Sequence, residues 1–249
     1  MATGLDNRAS FQHSLETLNV LNRYQDFINN LRSVADMGCG SGLDSAWWAK
    51  LTKQDGTPRD IQVHAVDIDL SNVVARHPNV NFIQSDYTST GIAPGSLDLV
   101  WAHDSLQYSL APMHSLLHWW EIMRDDAMLV IAMPYNYTVN NHLNIPKVDC
   151  LNTNKSYFNW TLGNLIMALI ATGFDCRNAH FKIDKVGNWI HAAVYKLPAK
   201  PDLHMNWYDM FDRKLLPECI EGSIARNGNF QDTELVVDWI DRSQYMLSI

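Results

Sequence analysis

Apolar residues Phe11, Leu15, Leu18, Leu21, Tyr24, Ile28 and Leu31 recur at helical spacing, which predicts an amphipathic helix over residues 9–31. Ser33 to Met37 then forms a short, mainly apolar run that ends in glycines. A helical pattern resumes from Leu43 to Leu51, so the segment reads as strand, tight loop, helix. Ile61 to Val66 predicts a second strand and Ser71 to His77 a short helix. Val80 to Gln84 and Leu97 to Ala102 predict the third and fourth strands, parted by a turn at Pro94 and Gly95. A helix from about Ala111 to Arg124 leads to Met128–Met133, an apolar run suited to a strand buried on both faces and stopped by Pro134.

A polar, aromatic insertion from Tyr135 to Asn159 follows, then a helix from Thr161 to Ala171 that Gly173 is placed to end. Phe174–Ile183 and Trp189–Leu197 predict two last strands joined as a hairpin through Lys185, Val186 and Gly187. Strands alternating with helices predict an α/β fold. Its sheet is doubly wound, mostly parallel and seven-stranded, with helices on both faces and one antiparallel edge strand from the closing hairpin. This domain spans residues 1–197. Residues 198–249 read as a helical extension packed on it, with a helix over Asp232–Leu247 whose Leu235, Val236, Trp239 and Ile240 share one face.

Composition narrows the functional classes. Nine Trp, nine Tyr and eight Phe in a 249-residue chain that is 47% hydrophobic describe a packed core rather than a disordered chain. A formal charge of −8 and the lack of any Lys/Arg run argue against nucleic acid as a partner. The polar N-terminus has no signal-peptide core, and the longest apolar stretch, Leu165–Ala171, is far too short to span a membrane. Cys39, Cys150, Cys176 and Cys219 form no CxxC, which speaks against a zinc site and a disulfide framework. A reduced, soluble, cytoplasmic protein is the expectation. The pattern carries no signal for oligomeric state.

In a doubly wound sheet a ligand sits where the first strand gives way to its helix, which directs attention to Asp36-Met37-Gly38-Cys39-Gly40-Ser41-Gly42. The glycines let the backbone turn sharply and approach a bound molecule. A dinucleotide fingerprint needs its third glycine one position later, where Leu43 stands, and a phosphate loop needs Gly-Lys-Ser/Thr, which is absent. The loop resembles that of the class I S-adenosylmethionine-dependent methyltransferases, acid-x-Gly-x-Gly-x-Gly, and the resemblance runs from about Val34 to Leu197. It implies a Rossmann-like methyltransferase fold with S-adenosylmethionine as cofactor, held at Asp36, Gly38, Cys39, Gly40, Ser41 and Gly42.

Further residues match that family in order. Asp67, followed by Ile68 at the end of the second strand, stands where the family grips the ribose; a carboxylate there can accept from both hydroxyls. Ser85-Asp86-Tyr87 matches the position that holds adenine. His103-Asp104 follows the fourth strand, beside the methionine portion of the cofactor. The stretch His103 to Tyr108 looks like that of small-molecule methyltransferases such as those acting on aconitate, and the Asn/Asp-Pro-Pro-aromatic signature of DNA amino-methyltransferases is missing.

Methyl transfer is an in-line displacement, so alignment and exclusion of water are the main demands. A hydroxyl or amine acceptor would profit from a base, and His103 or Asp104 is placed for it; His103 could equally lend only its backbone to the cofactor. Tyr108, with Tyr135, Asn136, Tyr137 and His142 of the insertion, is expected to bind the small-molecule substrate. His114, His118 and Glu121 have a conceivable ligand spacing but no third anchored partner, so no metal is expected. Two rival functions remain: a protein or RNA methyltransferase, which would need a basic or peptide-sized groove, and a cofactor-binding scaffold without turnover.

Overall fold

The computed structural model describes residues 17, 24–53, 55–134, 158, 160–184, 189–198, 200–218 and 221. The insertion after Pro134, the hairpin turn after Asp184 and the helix expected over Asp232–Leu247 lie outside these residues, apart from Phe158 within the insertion. Within them the elements are α1 (Gln25–Asn29), β1 (Ser33–Met37), α2 (Leu43–Ala49), β2 (Gln62–Asp67), β3 (Val80–Gln84), β4 (Leu97–His103), α3 (Pro112–Ile122), β5 (Met123–Pro134), α4 (Leu162–Ala171), β6 (Phe174–Asp184), β7 (Trp189–Lys196) and α5 (Trp207–Asp212). No helix among the described residues is long and apolar enough to cross a membrane.

The seven strands lie in the order β3-β2-β1-β4-β5-β7-β6. Neighbours from β3 to β5 pair parallel, and β7 runs antiparallel to both β5 and β6. The reversed strand thus belongs to the β6 side of the sheet, one place in from its margin. Central strands carry apolar residues on both faces: all seven residues of β4 are buried, as are Ala127–Met133 of β5. Val34, Val63, Leu99, Trp101, Val130 and Ala193 meet α1 and Trp48 of α2 on one face. Ala35, Val100, Leu129, Ile131, Ile190 and Val194 meet α3, α4 and α5 on the other. Tyr24 and Phe27 pack edge-on against Tyr195, which seats α1 over β7.

Local chemistry accounts for the boundaries. Thr161 and Asn164 form a reciprocal capping box at the start of α4, and Gly173, at φ +94°, ends it. A Cβ at Gly173 would lie 2.6 Å from Nε1 of Trp120, so close packing as well as backbone conformation requires glycine. Pro112 opens α3 at a position where a missing N–H costs nothing. β5 begins at once after α3, earlier than the Met128 expected from its apolar run, because Met123 pairs with Leu97 while Arg124–Asp126 remain exposed.

The short helix expected over residues 71–77 is not formed. A single 3-10 turn, Leu70–Asn72, is capped by the Asp69 carboxylate, and the chain then extends. The backbone N–H groups of Val74 and Ala75 both donate to the Ser41 carbonyl, at 3.0 and 3.1 Å, so this segment braces the glycine loop instead of bonding to itself. Its adjacent β-branched valines and the nearby Pro78 suit that extended path.

At the amino end of the sheet, buried Asp98 accepts from the backbone N–H groups of Arg32 (2.6 Å) and Ser33 (3.0 Å) and pairs with Arg124 Nε at 2.7 Å. Lys196, also buried, donates to the Met123 carbonyl at 2.6 Å and sits 4.1 Å from the Trp120 ring centroid. The charges at this end are therefore closely partnered.

Candidate functional site

The opposite end of the sheet holds a cavity of about 390 Å³ where β1, β2 and β4 terminate, lined by Asp36, Gly38, Cys39, Gly40, Ser41, Leu43, Asp44, Asp67, Ile68, Tyr87, His103, Asp104 and Tyr108. That volume lies in the range of small-ligand sites. The glycine loop forms its floor. Gly38 and Cys39 donate their N–H groups to the Val66 carbonyl at 2.8 and 3.0 Å, which draws the loop against β2. A Cβ on Gly38 would lie 2.5 Å from Ser105 Cβ and 2.9 Å from the Tyr87 hydroxyl, so only glycine lets the loop meet both. Gly40, at φ +48°, has no atom within 4 Å of where its Cβ would stand: its backbone faces open space.

Carboxylates surround that space. Asp67 accepts from Gly40 N–H through Oδ2 at 2.8 Å and from Asp69 N–H through Oδ1 at 3.1 Å. Each oxygen keeps lone-pair capacity for a further donor. Asp36 is buried and accepts from the Ser45 hydroxyl. Burial, then the charges of Asp44 and Asp67, push its carboxyl up to about 8. The same causes act on its neighbours: burial and the Asp36 charge raise the Cys39 thiol well above its ordinary range, and burial and Asp67 raise the Tyr87 phenol. Cys39 is thus a protonated wall residue, not a nucleophile.

The cavity continues past β4. His103 is 8% exposed at its wall, and Asp104 follows with φ +54°, a left-handed conformation that a non-glycine residue adopts at some cost. Its Oδ1 accepts from Gln107 Nε2, which ties the bend to the turn carrying Tyr108. Trp101 Nε1 donates to Asp44 Oδ2 at 3.0 Å, joining β4 to the first turn of α2. No Lys or Arg stands among the lining residues.

Most of the residues singled out from the sequence converge here, and some do not. Gly42 caps α2 with its α-carbon turned toward the bracing segment; a Cβ would lie 2.7 Å from the Ala75 carbonyl oxygen. Ser85 and Asp86 close their own turn, Ser85 Oγ on the Ser89 carbonyl and Asp86 Oδ1 on the N–H and hydroxyl of Thr88, and neither lines the cavity. Tyr135, Asn136, Tyr137 and His142 lie outside the described residues. His118 Nε2 lies 3.1 Å from Thr90 N and 2.9 Å from its hydroxyl, a structural contact. Leu43 and Asp44 were missed by the sequence reading. The only signal for Asp44 is an acid in the first turn after the loop.

The donor set suits S-adenosylmethionine. Its sulfonium and ammonium carry positive charge into a space bounded by Asp36, Asp44, Asp67 and Asp104, and the open face of Gly40 admits it.

The sequence matches the family model for the methyltransferase domain over residues 34–124, the stretch that builds the cavity. No curated protein matches it. Among solved structures, a complex of the Haloferax volcanii Trm112 methyltransferase activator with a methyltransferase contains a chain 13% identical, with TM-score 0.54, covering 78% of this chain and all of that one. Burkholderia thailandensis 1,6-didemethyltoxoflavin-N1-methyltransferase, solved with its substrate and S-adenosylhomocysteine, is 15% identical with TM-score 0.52, covering 77% and 80%. The cyclase SpnF is 14% identical with TM-score 0.52, covering 80% and 85%. At these identities the likenesses show the shared fold. The family match over residues 34–124, the strand order and the Asp36–Gly42 loop together support a class I S-adenosylmethionine-dependent methyltransferase with S-adenosylmethionine as its cofactor.

Proposed function

We propose that this enzyme methylates a neutral or cationic small molecule at a hydroxyl or amine. The observation that carries this reading is the composition of the cavity wall: the acidic side chains of Asp36, Asp44, Asp67 and Asp104, with His103 and Tyr108, and no Lys or Arg among the described lining residues. Such a wall attracts cations, and none of its described side chains is a Lys or Arg that would pair with the phosphates of a nucleic acid. Asp67 would take the ribose hydroxyls, Ile68 and Tyr87 would bound the adenine, and the Gly38–Ser41 backbone would pass beneath the methionine portion. Ser85, Asp86 and Gly42 would act by holding the surrounding turns.

Held by Asp67 and the Gly38–Ser41 backbone, the cofactor would supply an electrophilic methyl group on a positively charged sulfur, which would leave with the bonding electron pair. His103 and Asp104 stand at the far side of the cavity from Asp67. There His103 would accept the acceptor's proton as the new bond to carbon forms, while Asp104 and Tyr108 orient the acceptor.

The test is transfer of label from methyl-labelled S-adenosylmethionine into a size-fractionated cell extract. Label in the low-mass fraction supports the proposal. Label confined to protein or RNA would replace it with a macromolecular acceptor, and tight binding without label in any fraction would favour a cofactor-binding protein without turnover.

A further inference from the structure

His103 does not stand alone in the wall. Its imidazole lies between two indoles: Trp101, two residues earlier on β4, with ring centroids 6.1 Å apart and planes 10° from parallel, and Trp189 of β7, at 5.3 Å and 17°. The backbone explains how rings from two non-adjacent strands meet. His103 pairs with Ala132 of β5, and Ala132 pairs with His191 of β7. Ala132 presents only a methyl group between them, so the His103 and Trp189 rings can close over β5. Each outer ring is itself fixed. Trp101 donates to Asp44 and packs edge-on against Trp48 at 5.4 Å, while Trp189 lies 6.5 Å from His191, whose Nδ1 is 2.7 Å from the Thr17 hydroxyl.

Resting on the reading of His103 as the base, we propose that Trp101 and Trp189 are positioning residues that clamp the imidazole and stabilise its protonated form, and that Trp189 thereby sets the pH range of methyl transfer. The face of an indole carries negative electrostatic potential and attracts a cation stacked on it. The imidazolium that forms as His103 takes a proton would meet such a face at Trp189, 5.3 Å away, with the Trp101 ring, at 6.1 Å, acting more weakly. The parallel planes also hold the ring in one orientation. Among the described residues, the titratable groups nearest the clamp are Asp36 on β1, Asp44 on α2, Asp67 on β2, Asp104 and Tyr108 after β4, and His191 on β7. Of these, His191 stacks on Trp189, so its midpoint is followed in the same titration.

The experiment is an NMR titration of the His103 ring, assigned with His103→Gln, in the wild type, Trp189→Leu and Trp189→Phe. Leucine keeps apolar bulk but removes the π face, and phenylalanine restores it. The His103 midpoint should fall by about 0.5–1.5 in Trp189→Leu and return most of the way in Trp189→Phe. An unchanged midpoint in Trp189→Leu overturns the clamp. If that variant does not fold, wild-type protein labelled with fluorinated tryptophan serves instead: electron-poor indoles should lower the midpoint, and no movement overturns the proposal. The pH profile of kcat/KM separates the two readings. An acid limb that follows the NMR midpoint supports both, whereas an acid limb that stays while the midpoint moves leaves the clamp standing and removes His103 as base.

Discussion

Asp67 is the residue on which cofactor binding should depend most directly. Its two oxygens are each oriented by one backbone N–H, Gly40 on Oδ2 and Asp69 on Oδ1, so the carboxylate is already aimed before any hydroxyl arrives. Asp67→Ala should weaken S-adenosylmethionine binding by about 1.5–3 kcal/mol, the range for hydrogen bonds to a charged group, as measured by calorimetry. Gly40 offers the complementary test. A side chain there meets no protein atom and must enter the cavity, so Gly40→Val should abolish the thermal upshift given by S-adenosylhomocysteine. The φ of +48° should cost the fold only about 1–2 kcal/mol. Residues of this kind were legible in the sequence because they are contiguous or stand at strand ends. Asp44, Trp101 and Trp189 were not: their roles arise from how α2 and β7 turn toward β4, contacts between residues distant along the chain.

At the scale of elements, the glycine loop is held from outside as well as from within. The Val74 and Ala75 N–H groups bond its Ser41 carbonyl, and Gly42 lies against the Ala75 carbonyl. Gly42→Ala therefore faces both a positive φ of +78° and a backbone contact of 2.7 Å. It should destabilise by about 2–3 kcal/mol, seen as a melting temperature lower by roughly 4–12 °C. That brace also explains why residues 71–77 were misread: local propensity is weak, and a loop carbonyl offers these N–H groups a better partner than a helix would. By contrast, α4 was legible to within a residue, because Thr161, Asn164 and Gly173 mark both ends with capping chemistry that needs no tertiary context.

Across the whole molecule, the two ends of the sheet treat charge oppositely. At the amino end, Asp98 joins β1, β4 and β5 through two backbone N–H groups and Arg124. Arg124 is half-exposed, so solvent screens much of the ion pair, and the two N–H groups carry most of the effect. Asp98→Ala should cost about 2–4 kcal/mol in urea unfolding while leaving S-adenosylhomocysteine affinity unchanged. At the carboxyl end, Asp36 is raised from an ordinary carboxyl value of 3.8 to about 8, by burial first and by Asp44 and Asp67 next. A folded-state pKa above the unfolded one favours folding fully at pH below about 4 and progressively less as pH rises toward about 8. Ligand-free protein should accordingly lose stability across that window, and Asp36→Asn should flatten the decline in a pH series of thermal melts.

The crowding of acidic side chains around the cavity links the charge of a ligand to the protonation of Asp36. Burial first, and the charges of Asp44 and Asp67 next, raise the Asp36 carboxyl to about 8, and a ligand bearing a sulfonium would compete with its proton for the same negative potential. Loading S-adenosylmethionine at pH 7 should therefore eject a fraction of a proton, and the binding heat should vary with the ionisation enthalpy of the buffer. S-adenosylhomocysteine, whose sulfur is uncharged, should eject less, so each turnover would let the proton return and loosen the spent product. Equal buffer dependence for the two ligands would show that this link is absent.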